Sequence, residues 1–108
     1  MSIITFDEFQ KLDMRVGKIV DVERIQGSKK LVKMKIDVGG EIKQSLAGVA
    51  DIYNLEELKG KLVAVVKNLQ PRKLFGLESE VMVLAAVHNG KVSLLIPDKE
   101  MPPGSKVT

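Results

Sequence analysis

A chain of 108 residues has room for one hydrophobic core, and its 44% hydrophobic and 29% charged residues are those of an ordinary globular domain. No apolar run approaches the ~18 residues of a membrane span, and Met1 to Gln10 carries Asp7 and Glu8 where a secretory leader would be basic. Cysteine is absent, the single His88 cannot build a multi-histidine metal site, and the net charge of +3 is mildly basic, so the expectation is a cytoplasmic protein without disulfide, metal or cofactor.

In chain order, "TFDEFQKL" places Thr5 three residues before Glu8, the spacing of a capping box. A helix of about two turns follows, with Phe6, Phe9 and Leu12 along one side. "MRVGKIVDVERI" reads as a strand whose alternation slips at Lys18 and Ile19, and Gly17 beside the slip predicts a β-bulge there. "LVKMKIDV" alternates cleanly, with Val32, Met34, Ile36 and Val38 on one face and Lys33, Lys35 and Asp37 on the other.

Gly39-Gly40 is a tight-turn signal into "EIKQSLAGVA". "NLEELKG" reads as a short helix closed by Gly60. "KLVAVV" and "VMVLAAV" are buried strands, and Asn89-Gly90 turns the latter into "KVSLLI". His88 flanks that turn, which makes a structural role the simplest reading. The proline-containing tail from Pro97 is expected to be mostly irregular.

Between the two buried strands lies "NLQPRKLFGLESEVM", residues 68–82, which reads as a long loop. It pairs Arg72 with Lys73 and interleaves Leu74, Phe75 and Leu77 with Glu78 and Glu80. Ordinary connectors run about 4–6 residues. A basic, partly apolar loop of this length suggests a binding wall, with Pro71 setting its turn and Leu74 or Phe75 anchoring it. A second basic group, Lys29, Lys30, Lys33 and Lys35, lies in the first half of the chain. Charge alone leaves open whether either group is a site or a solvated face.

Helix, three meandering strands, short helix and two strands is the order of an OB-fold. This is a five-stranded Greek-key barrel, all-β with short helices, here with an N-terminal helix and a C-terminal strand extension. The expected single domain has its barrel core at about 12–88 and extensions at 1–11 and 89–108.

"KLDMRVGKI", "KLVKMKIDVGGE", "EELKGKLVAVVKNLQPRKLFGLESEVMVLAA" and "PGSKV" resemble the tRNA-binding domain of methionyl-tRNA synthetase, in its C-terminal or β-subunit form and its stand-alone relatives. The resemblance covers nearly the whole chain, and "NLxPRKLxGxxS" is its most specific part. It implies a tRNA site that includes Asn68, Arg72, Lys73 and Ser79 from the loop and Lys30 after the first strand. The polar phases of the strands add Lys33, Lys35 and Lys43 to the same face. Bland alternatives stand beside these: Asn68 capping a turn, Ser79 bonding backbone, and Arg72 pairing with Glu78 or Glu80. The chain departs from the family pattern at Lys29, Ala47 and Val81, where aspartate, serine and glycine are frequent.

The resemblance implies a tRNA-binding protein acting in trans or as a synthetase β subunit, with a catalytic synthetase chain as a possible partner. The alternative is a homodimeric export-related chaperone of the same fold, binding extended peptides. No serine–histidine grouping, P-loop or Rossmann glycine pattern supports an enzyme. Few aromatics argue against extensive base stacking and favour a folded RNA held by backbone and shape. A homodimer is expected, because Phe6, Phe9, Leu94, Leu95 and Ile96 add apolar surface beyond the barrel's needs.

Overall fold

The computed structural model describes residues 2–108. Helix α1 (Phe6–Gln10) carries the expected capping box: Thr5 Oγ1 accepts from the Glu8 amide at 3.1 Å, and Glu8 Oε1 accepts from the Thr5 amide at 3.0 Å. No residue of the helix is buried within the chain.

Strand β1 (Met14–Arg24) is the spine. Its second half pairs antiparallel with β2 (Val32–Asp37). The bulge falls between Ile19 and Asp21, at Val20, not at Gly17 as expected. Gly17 answers a different need: a Cβ there would meet Ile36 Cγ2 at 2.5 Å, so the glycine admits close packing where β1 bends. Along β2 the alternation is as read, with Val32, Met34 and Ile36 buried and Lys33, Lys35 and Asp37 half-exposed.

Asp37 Oδ1 accepts from the amides of Gly39 and Gly40 at 2.9 and 3.2 Å, holding the turn into β3 (Ile42–Ala47). Helix α2 (Leu55–Leu58) follows, and its fully buried Leu58 joins the core. Strand β4 (Leu62–Val66) returns beside the first half of β1. Val63, Val65, Ile19, Met34 and Ile36 are the heart of the core. Each contributes about 1.5–3 kcal/mol by burial.

The expected long loop is itself a β-hairpin. Strands β5 (Arg72–Leu74) and β6 (Leu77–Ser79) pair across the two-residue turn Phe75-Gly76, whose φ angles are 53° and 73°. "VMVLAAV" is two short strands rather than one. Strand β7 (Met82–Val83) pairs with β4, and β8 (Ala85–His88) pairs only with β9 (Lys91–Leu94). Leu84 marks the break, donating to Ala64 O at 2.9 Å while its own carbonyl accepts from Leu95.

The tail is less irregular than its prolines suggested. Strand β10 (Lys106–Val107) pairs with β1 at Met14 and Arg15. Gly104, at φ 94°, lies so close to Gly39 that a Cβ there would come within 2.8 Å of the Gly39 Cα.

The barrel sheet runs β3-β2-β1-β4-β7, antiparallel throughout, with β10 added on β1. Closure between β3 and β7 comes from the segment joining β6 to β7. Glu80 N donates to Gln44 O at 2.8 Å, Ser45 Oγ to Val81 O at 2.9 Å, and Leu46 N to Ser79 Oγ at 3.1 Å. The result is the expected nearly closed five-stranded, OB-like barrel with a short N-terminal helix. Among the described residues no helix is long and apolar enough to cross a membrane.

Candidate nucleic-acid interface

The register sorts the candidate cations. Residues directly opposite in an antiparallel pair share a face. Lys33 stands opposite Leu46, and Lys35 opposite Gln44. Both lysines are on the outer face of the sheet, and both are engaged. Lys33 forms an ion pair with Glu23, its cross-strand neighbour on β1. Lys35 Nζ donates to Gln44 Oε1 at 2.8 Å, and Gln44 Nε2 donates to Glu78 O at 2.9 Å. Gln44 therefore ties the lysine face to the β5–β6 hairpin.

Lys43 does not share that face, contrary to expectation. It stands opposite the buried Ile36, in the phase of Ser45, and its ammonium escapes at the barrel rim. There it lies 3.8 Å from Glu41 and 3.9 Å from Glu80. Lys67, from the end of β4, reaches Glu41 at 3.0 Å. The Lys67 hydrogen bond, reinforced by the nearby charge of Lys43, holds the Glu41 carboxyl below the usual carboxylate range. Two lysines and two glutamates thus form a mixed-charge rim. No local sequence pattern places Lys67 here, because its partner Glu41 lies on the turn between β2 and β3.

Two candidate residues are occupied by the fold. Asn68 Oδ1 accepts from Asp13 N at 2.8 Å, and its Nδ2 donates to Lys11 O at 2.6 Å, so its amide clips the end of β4 to the entry of β1. Ser79 forms part of the barrel seam through its hydroxyl.

Arg72, Lys73 and Lys30 differ from the rest. All three are exposed and make no ion pair among the described residues. Lys73 stands across from Glu78, yet neither Arg72 nor Lys73 pairs with a glutamate. The positive charge of Arg72 and Lys73 is presented to solvent on a two-stranded hairpin. Leu74 faces Leu77 and is half-buried, whereas Phe75 is 59% exposed at the tip and does not anchor the hairpin to the barrel.

Beside Arg72 opens a groove of about 760 Å³, lined mostly by apolar groups such as Leu46, Leu69, Pro71, Met82 and Val87. On another part of the surface Ile3 and Phe6 are 96% and 70% exposed, and the Phe6 and Phe9 rings stack at 6.5 Å. Leu95 and Ile96 are exposed as well. Leu94 is not: it packs in the core at 6% exposure, and its amide donates to the Tyr53 hydroxyl at 3.1 Å, so it offers no interface surface. Among the described residues no group of acidic or histidine side chains could hold a metal ion.

Three comparisons bear on this arrangement. A family described as "Putative tRNA binding domain" matches residues 14–106. The methionine–tRNA ligase of Archaeoglobus fulgidus is 49% identical over 104 residues, covering 96% of this chain but 16% of the ligase. The chain thus spans only a small part of the curated relatives it matches. Among solved structures, a MetRS related protein from Pyrococcus horikoshii superposes with a TM-score of 0.93 at 39% identity, covering 100% of both chains. The chaperone CsaA of Bacillus anthracis gives a TM-score of 0.89 at 35% identity, over 99% of this chain and 100% of that one.

Proposed function

Because this chain belongs to the family of tRNA-binding domains, we propose that it binds folded tRNA through the phosphate backbone, with the β5–β6 hairpin as the principal contact. The observation that carries the reading is the pair Arg72 and Lys73, exposed and without an acidic partner among the described residues, on a paired hairpin. Phosphate neutralisation by such cations supplies most sequence-independent affinity for nucleic acid. Lys30 extends the contact, and Lys33, Lys35 and Lys43 act as a second rank: the ion pairs of Lys33 and Lys43 and the Lys35 hydrogen bond to Gln44 must yield to phosphate. Asn68 and Ser79 serve by holding the hairpin and the β1 entry in place.

In this reading the domain supplies binding, not chemistry. A catalytic synthetase chain, joined or separate, is its natural cytoplasmic partner. The unit that binds is a homodimer. No residue of helix α1 is fully buried within the chain, and Phe6, Leu95 and Ile96, with the half-buried Phe9 beside Phe6, offer the apolar surface that two-fold pairing would cover. Two linked basic faces would also compensate for a modest charge per subunit.

The apolar groove beside Arg72 favours a second reading, extended peptide as ligand, in keeping with the likeness to chaperone CsaA. One set of titrations at fixed salt separates them, using tRNA, single-stranded RNA, duplex RNA and an apolar peptide. The tRNA reading predicts tRNA as the tightest ligand. Peptide binding in the groove with weak, indiscriminate RNA binding would replace it with the second.

A further inference from the structure

We propose that Phe75 is a stacking finger, whose ring receives one unpaired nucleobase of the RNA held on this face. The inference rests on the RNA-binding reading above and adds a contact that backbone electrostatics does not provide.

The first observation is exposure. Phe75 sits at the tip of the β5–β6 hairpin, 59% exposed and outside the core cluster, so folding gains little from an aromatic residue there. The second is backbone conformation. Its φ of 53° lies in the left-handed region, at the first central position of a two-residue turn that Asn or Gly ordinarily occupies. A bulky residue there is a true outlier, and such outliers collect at ligand contacts.

The third observation is the company the ring keeps. It leans toward the loop between β1 and β2, where a Cβ added at Gly27 would lie 3.9 Å from the ring. That loop goes on to Lys29 and Lys30, and the hairpin itself carries Lys73; all three are exposed. An exposed aromatic ring between a hairpin and a loop that both carry exposed lysines is the combination that nucleic-acid grooves use, stacking a base while ammonium groups take its phosphates. The shortage of aromatics elsewhere in the chain limits the contact to a single base, as suits a folded RNA with one base turned outward.

The chain has no tryptophan, so Phe75→Trp places a single fluorophore at the finger tip. Saturating tRNA should quench its emission, while a blunt RNA duplex without unpaired bases should not. Phe75→Leu should weaken tRNA binding roughly five- to twentyfold, with an unchanged salt slope because no charge is removed. Phe75→Trp should retain affinity. Emission untouched by tRNA, equal quenching by the duplex, or wild-type affinity in Phe75→Leu would each overturn the finger. If Arg72→Ala/Lys73→Ala still lost binding in those cases, the RNA-binding reading would stand without it. A wild-type chain that binds no tRNA would overturn both. The fluorescence readout does not depend on how well the leucine variant folds.

Discussion

The amide of Leu46 donates to the hydroxyl of Ser79 at 3.1 Å, and that hydroxyl donates onward to the carbonyl of Val81 at 3.3 Å. One side chain thus substitutes for a ladder step where β3 and β7 fail to pair directly. Leu46 is buried, so its amide would be left without a partner if the hydroxyl were removed. Ser79→Ala should therefore lower the unfolding free energy by about 1–2 kcal/mol, measurable by urea denaturation. Affinity for tRNA should fall by less than it does on removing a hairpin cation. A variant as stable as wild type would make Ser79 a ligand contact first and a seam residue second.

The same residue shows what a sequence can and cannot reveal here. Strand β2 was legible because Val32, Met34 and Ile36 alternate with Lys33, Lys35 and Asp37 without interruption, and the capping box at Thr5 and the Asn89-Gly90 turn depend on neighbours in sequence. The β5–β6 hairpin escaped because Phe-Gly is an unusual two-residue turn, although "RKL" and "LES" flank it symmetrically. Seam contacts such as Ser45 to Val81, and the ion pairs of Lys33 and Lys67, join residues far apart in the chain. No local pattern encodes them. The phase of Lys43 was misread for a related reason: only the β2–β3 register sets it opposite Ile36.

In the proposed reading, Glu41 competes with RNA for two lysines. It lies 3.0 Å from Lys67 and 3.8 Å from Lys43, and both ammonium groups are half-exposed at the rim. Glu41→Gln should strengthen tRNA binding several-fold and steepen the salt slope by up to about one. It should also show in stability. The Glu41 carboxyl titrates below its ordinary range in the folded chain, so its stabilising effect is present above the unfolded-state value of about 4.3 and is lost as pH falls through the folded one. Thermal melts at descending pH should find wild type ahead of Glu41→Gln near neutrality and level with it in acid. A stability gap that persisted at low pH would assign the difference to something other than this charge.

Assembly has its own check. Phe6, Leu95 and Ile96 are exposed in the single chain, and the dimer reading covers them. Light scattering at micromolar concentration should give twice the chain's 11.9 kDa. Ile96→Asp with Phe6→Ser should return it to one chain, with weaker tRNA binding as effective concentration is lost. A wild-type mass of one chain at every concentration would end the dimer reading.

In the proposed reading, Arg72 and Lys73 carry tRNA on a hairpin that folds independently of their charge. Its most direct test is the salt dependence of tRNA affinity for wild type and for Arg72→Ala/Lys73→Ala. Wild type should show a slope of roughly −3 to −4, as for about four neutralised phosphates. The double variant should bind at least about tenfold more weakly, a loss of about 1.4 kcal/mol, with a slope shallower by about two. Its unfolding free energy should stay within about 0.5 kcal/mol of wild type. Unchanged affinity and slope in a folded double variant would contradict the claim and move the site away from the hairpin.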